Sequence, residues 1–249
     1  MSGHSHSANI ARRKNAVDAV RAKVFSKCAK AIMSAVRQGG PDPEQNLKLR
    51  YAVEKARAAN MPKDNVERAI KRASGEGAGD IEELVYEGYA PGGIAVMVTA
   101  LSDNRNRTAP EMKYIFERRG GNLGAQGSVA FLFDFRSIFV VETGGKTEDE
   151  LMELVLEIGA EDLEFEGDVA TILAAPPDFL DVKQALEGAG YGFLSAETGY
   201  VPKNNVAVQD KSDARKLLNL LAALDDHDDV QSVYANYEMP DEWVEELST

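Results

Sequence analysis

Charge changes sign along this chain, and that division argues against a single uniform domain. The first 78 residues carry 16 Lys and Arg against 7 Asp and Glu, a net of +9; the remainder carries 12 basic and 34 acidic side chains, a net of −22. The boundary falls at Gly75-Glu76-Gly77-Ala78-Gly79, a glycine-rich break with little to pack. A basic unit fused to acidic ones suits a protein that grips a polyanion with one end and holds it off with the other. At 249 residues and 44% hydrophobic, the chain has material for two or three ordinary folded units.

Pattern predicts three helices in the basic part. From residue 15 to 38, Val17, Val20, Val24, Cys28, Ala31 and Ala35 recur at helical spacing as one apolar stripe. Lys23, Lys30 and Arg37 recur every seven residues on the opposite side, with Lys27 beside them, and Gly39-Gly40 ends the helix. Asp42 reads as the N-cap of a second helix, with Pro43 at its first position and Gln45 completing a capping box. Leu49, Ala52, Val53 and Ala56 are its apolar face and Asn60 closes it. A third helix starts near Pro62-Lys63-Asp64, buries Val66, Ala69, Ile70 and Ala73, and stops at Gly75.

The acidic remainder alternates strands and helices. Strands are expected at 83–89 and 94–101 around the turn Pro91-Gly92-Gly93. Thr108 is the expected N-cap of a helix reaching Arg119, and 129–133 the next strand. Residues 137–142, 148–158, 162–166, 169–174, the stretch from Pro176-Pro177 to Gly188, and 191–196 read in order as βαββαβ, the ferredoxin-like arrangement. A helix at 212–224 and a strand at 230–237 would complete the ββαβ left unfinished before it. The expectation is a multidomain α+β protein: an N-terminal three-helix bundle (1–78), then two α/β domains. The middle one is discontinuous (79–133 plus 205–249), and the last, ferredoxin-like one (134–204) is inserted into it.

The cationic helix ridge is the strongest functional signal, because a row of Lys and Arg can lie along phosphates and release counterions. The competing reading is an ordinary solvated helix face. Arg12, Arg13, Lys14, Lys63, Arg68, Lys71 and Arg72 add to the same end of the chain. Arg105 and Arg107, between Asn side chains at a helix start, suit a phosphate or a base edge; equally, Asp103, Asn104 and Asn106 there suit plain turn-making. Gly120-Gly121-Asn122-Leu123-Gly124-Ala125-Gln126-Gly127-Ser128 lacks the Gly-Lys-Ser/Thr ending of a nucleotide loop and follows a helix. It reads as a helix stop and connector rather than an anion nest.

No catalytic constellation is visible. His4 and His6 lie in the tail, His227 lies in the acidic run 225–229, and Cys28 falls on the core stripe, so no metal site, cofactor or enzyme activity is expected. With no apolar run near the roughly 20 residues of a membrane span, and no signal-peptide middle, the expectation is a cytoplasmic protein without membrane partners.

Certain motifs are specific. Gly3-His4-Ser5, Ala8-Asn9-Ile10, Arg13-Lys14, Ala58-Ala59-Asn60-Met61-Pro62-Lys63-Asp64-Asn65, Tyr86-Glu87-Gly88-Tyr89, residues 102–108, and Gly120 to Gly124 with Gly127-Ser128 resemble the YebC/PmpR family, in order, over about the first 133 residues. The chain departs from it at His6-Ser7, where members commonly carry Lys-Trp, and at Arg12, where His is common. The resemblance implies a helical domain followed by two α/β domains, and a non-enzymatic DNA-binding transcriptional regulator. Some relatives are understood instead as translation factors at the ribosome, so RNA is the alternative partner. A third reading from charge alone is an acidic scaffold for basic proteins.

Overall fold

The computed structural model describes residues 21–75 and 81–247. Arg12, Arg13, Lys14, Val17, Val20 and most of the glycine-rich break lie outside the described residues. Three helices come first: α1 (Arg21–Gly39), α2 (Leu47–Ala58) and α3 (Lys63–Ser74). They close on a cluster of Cys28, Ile32, Ala35, Val36, Leu49, Val53, Met61 and Val66 with several alanines. Small residues let the helices approach, so the bundle is tight but carries few large side chains.

Two helix starts differ from expectation for one reason. The cap of α2 is Asn46, not Asp42: its Oδ1 accepts the Leu49 N–H while its Nδ2 donates to the carbonyls of Ala35 and Gly40. Asp42 instead makes a local turn, accepting the Glu44 N–H at 3.0 Å. Likewise the helix α4 (Arg105–Arg118) starts at Asn104, whose side chain accepts the Arg107 N–H; Thr108 lies inside the helix, buried. In both cases an Asn whose side chain satisfies an orphan N–H takes the cap, and Asn46 reaches two carbonyls besides.

The first sheet runs in the order β3-β1-β2-β9, from β1 (Glu82–Tyr89), β2 (Ala95–Ser102), β3 (Asn122–Leu123) and β9 (Val230–Ala235), every neighbour antiparallel. Val96 and Val98 face Met112 and Phe116 of α4 and Leu217, Leu220 and Leu224 of α7 (Lys211–Asp225). Each such fully buried side chain contributes about 1.5–3 kcal/mol. The second sheet runs β5-β6-β4-β7, from β4 (Phe133–Glu142), β5 (Asp162–Glu166), β6 (Val169–Ala174) and β7 (Phe193–Pro202), again antiparallel. Its helices α5 (Glu148–Glu157) and α6 (Phe179–Gly188) cover Phe139, Val141, Ala170 and Ile172. Thr147 and Glu150 form a complete capping box at the start of α5.

Four strand limits change, the first being the strand expected at 137–142, which starts earlier as Phe133–Glu142. Residues 129–133 hold a 3-10 turn at Ala130–Leu132 rather than a strand, the strand expected at 191–196 extends as Phe193–Pro202, and the last strand divides into β9 and β10 (Tyr237–Glu238). β10 pairs with β8 (Val206–Ala207), and a short helix, α8 (Asp241–Leu247), follows. Tyr200 joins the two sheets, meeting Phe135 edge-on at 5.1 Å and Tyr234 at 5.4 Å between ring centroids. Among the described residues no helix is long and apolar enough to cross a membrane.

Close backbone contact makes one glycine indispensable. A Cβ on Gly88 would lie 2.5 Å from the Asn122 carbonyl oxygen and 2.7 Å from the Phe116 ring. Gly88→Ala is expected to cost about 1–3 kcal/mol as an overpacked site. Gly192→Ala, where an added Cβ meets nothing within 4 Å, is expected to shift stability by no more than about 0.5 kcal/mol. Urea unfolding midpoints of the two variants measure the contrast; equal midpoints would refute the close approach.

Candidate nucleic-acid interface

The lysines of the ridge come together, but on an acidic turn of the chain itself. α7 ends at Asp225 and runs into an acidic turn, Asp225-Asp226-His227-Asp228-Asp229, at the negative end of that helix. Lys27 Nζ meets the Asp225 carbonyl at 2.7 Å and its carboxylate at 3.0 Å. Lys23 meets the carbonyl and, at 2.6 Å, the carboxylate of Asp226. Lys30 meets the Asp228 carbonyl at 3.0 Å and the Asp229 carboxylate at 2.6 Å. Burial lowers the Lys27 pKa and outweighs Asp225, with Lys23 and Lys55 adding to the fall.

Asp229 is the centre of this contact. It is 2% exposed, and its Oδ2 accepts from Arg107 Nη2 and Thr108 Oγ1, each at 2.7 Å. Because Thr108 donates there, Ser102 Oγ donates to Thr108 across 2.6 Å. The Asp229 carbonyl accepts the Leu101 N–H at 2.8 Å, which fixes the turn to the end of β2. Burial alone would raise the carboxyl pKa; the hydrogen bonds from Lys30, Arg107 and Thr108 outweigh it and hold Asp229 well below the usual carboxylate range.

His227 completes the turn. Its Nδ1 accepts the Asp229 N–H at 3.1 Å, which leaves Nε2 to donate to Glu111 at 2.9 Å. Ligand atoms of Glu111, His227 and Asp229 lie within 4.8 Å of one another. A metal ion there would have to displace Lys30 and Arg107 from Asp229, so the group is better described as an ion-pair hub. It forms part of the wall of a cleft of about 750 Å³ that Lys23, Lys30, Asp103 and Arg107 also line.

The other candidates are distributed differently. Arg107 also pairs with Asp103 at 3.0 Å, so it is held by carboxylates on two sides, whereas Arg105 in the same turn is exposed. Arg37 lies exposed in the last turn of α1. Lys63, Arg68, Lys71 and Arg72 share the outer face of α3. Lys63 leans toward Glu67 at 3.5 Å and Arg68 bonds Asn65 within its own helix. Lys71 and Arg72 are exposed with no ion pair among the described residues.

The glycine-rich segment 120–128 does form part of an anion nest, and the anion is Glu87. Gly127 N–H reaches its Oε1 at 2.6 Å, and the N–H groups of Val129 and Ala130 reach its Oε2 at 2.7 and 2.8 Å. Glu87 is 3% exposed. Burial pushes its pKa up, and the three backbone donors outweigh that and bring it below the ordinary value. The sequence reading gave no role to Glu87, Glu111 or Asp229, although the Tyr86-Glu87-Gly88-Tyr89 motif contains the first and the acidic run 225–229 the last.

Both depressed carboxyl pKa values predict acid sensitivity. Stability from Glu87 is fully present above the unfolded value of about 4.3 and is lost as pH falls through the lower folded value. Glu87→Gln is expected to lower stability at pH 7 by about 1–3 kcal/mol, because an amide nitrogen then faces backbone N–H groups. Its loss of stability below pH about 4.3 should be shallower than the parent's. Urea titrations from pH 7 to 3 read both effects; parallel curves would show that the nest contributes nothing.

Comparison with known proteins places these features. The family description "TACO1/YebC protein N-terminal domain" matches residues 5–76, and "TACO1/YebC second and third domain" matches residues 81–237. A probable transcriptional regulatory protein of Rubrobacter xylanophilus is 49% identical over 250 residues, covering all of both chains. One from Halothermothrix orenii is 50% identical over 251 residues, covering 100% of this chain and 99% of its own. The crystal structure of a conserved hypothetical protein from Aquifex aeolicus superposes with a TM-score of 0.81 at 46% identity, covering 90% of this chain and 92% of that one. With full-length relatives and matches across both the helical and the sheet-containing parts, this chain belongs to the TACO1/YebC family, the YebC/PmpR family its motifs resemble.

Proposed function

We propose that the chain is a cytoplasmic, non-enzymatic regulator that binds nucleic acid, with duplex DNA as its target and transcription as the process it serves. One observation carries the reading: the outer face of α3 keeps Lys63, Arg68, Lys71 and Arg72 exposed together, while Lys23, Lys27, Lys30 and Arg107 are held within the chain. An open row of cations on a short helix is the electrostatic footprint of phosphate contact. The names of its relatives, probable transcriptional regulatory proteins, support a regulatory role.

The order of parts in the basic unit adds support for DNA. α2 and α3 are joined by residues 59–62, in which Asn60 takes a left-handed backbone (φ 58°) and Met61 is buried. Helix, four-residue turn and helix with a polar outer face is the order of a helix-turn-helix, a pairing not evident from sequence. The division into a helical unit, a discontinuous second unit and a third one inserted at 134–204 belongs to the same proposal. It is supported by β9, which returns to the first sheet after the strands of the second.

RNA is the second reading, favoured by Tyr114, which is 65% exposed on α4 one turn before Arg118. An exposed ring beside a cation is a surface on which an unpaired base stacks. Lys71→Glu with Arg72→Glu is expected to weaken binding roughly tenfold or more at low salt, and to reduce the slope of log K against log salt by about two. Fluorescence anisotropy with a labelled duplex and a structured RNA hairpin measures both. Unchanged affinity for the two probes would remove α3 as the contact surface, and tighter binding to the hairpin would favour RNA.

A further inference from the structure

The helical unit meets the rest of the chain mainly through polar groups. Its apolar cluster is separate from the cores beneath the two sheets. Across the boundary, Lys48 pairs with Glu83, Lys55 with Glu197 and Glu54 with Lys183, and one aromatic anchor, Tyr51, sets its ring against Phe179. Units of one chain joined by polar interfaces of this kind move relative to one another by default. The contact between α1 and residues 225–229 belongs to this boundary, and it is the most regular part of it. Three lysines at helical spacing each meet one carboxylate and one backbone carbonyl.

That is the chemistry a row of lysines would find along a phosphate backbone: closely spaced anionic oxygens. Resting on the nucleic-acid reading above, we propose that residues 225–229 are an internal competitor for nucleic acid. In the free protein they occupy Lys23, Lys27 and Lys30, and a polyanion gains these lysines only by displacing the turn.

Three observations support displacement. The side chains of Asp225 and Asp226 are 67% and 83% exposed, against 15% and 28% for Lys27 and Lys23, so in two of the three pairs the carboxylate stays in solvent, where water and salt weaken the pairing. Asp229, the buried member, keeps Arg107 and Thr108 when Lys30 leaves, so separation strands no buried charge. The face of α3 is open throughout, so a polyanion can dock on Lys71 and Arg72 before the turn is released.

The test compares full-length variants against the same labelled duplex and RNA hairpin at low salt. Asp225→Asn with Asp226→Asn is expected to bind roughly fivefold more tightly than the parent, the size that two surface ion pairs can supply. Glu153→Gln with Glu157→Gln, an equal charge change on the exposed side of α5, should produce a much smaller gain. Adding Lys23→Ala and Lys27→Ala to the Asn pair should abolish the gain, since the pairs act as a unit. A gain no larger than that of the Gln pair, or one that survives loss of the lysines, overturns the competitor role while leaving nucleic-acid binding in place. A parent that binds neither probe overturns both. Should the Asn pair lose its fold by circular dichroism, Asp226→Asn alone carries the same comparison.

Discussion

A buried carboxylate is costly unless its charge is matched on the spot, and Asp229 is matched from two helices at once while a strand holds its backbone. α1 supplies Lys30, and α4 supplies Arg107 and Thr108; the backbone at the end of β2 donates to the Asp229 carbonyl. The order of the chain makes this point a junction: it closes the turn between α7 and β9, fixes the start of α4, and holds the helical unit against the first sheet. Removing one cation would leave the other to neutralise the charge, but removing the carboxylate would strip Lys30 of its counter-ion and leave Arg107 with Asp103 alone.

The division of charge between the two parts of the chain therefore has a second consequence. A +9 end and a −22 remainder do attract and repel a polyanion respectively as the composition suggests, but they also attract each other. At physiological salt that attraction reaches only about 8 Å, so it works where opposite charges touch, and the structure shows where: Lys23, Lys27, Lys30, Lys48 and Lys55 all meet carboxylates from beyond residue 80.

What the sequence made legible were features with a local cause. The hairpin of β5 and β6 around Gly167, the α3 helix after Pro62, and the order of strands and helices in the second sheet follow from neighbours a few residues apart. The errors share a different cause. Residues 129–133 carry strand-like side chains, yet the N–H groups of Val129 and Ala130 are taken by Glu87, about 40 residues earlier, and cannot join a ladder. Asn46 outcompetes Asp42 as a cap because it also reaches Ala35 and Gly40. The ridge of Lys23, Lys27 and Lys30 was visible in the spacing, but its partners lie 198 to 203 residues away, beyond anything periodicity can reveal.

The position of β9 sets a schedule for folding. Every strand of the second sheet lies between residues 133 and 202, and its helices pack on it from within the same span. The first sheet pairs β2 with a strand more than 120 residues later in the chain. Closing so long a loop is entropically expensive and slow compared with local pairing. During synthesis the second sheet can be complete while β2 still exposes an unpaired edge, and that edge is sealed only when Val230–Ala235 emerge. The segment that carries the acidic turn is thus also the one that finishes the fold, so a truncated chain would lack both at once.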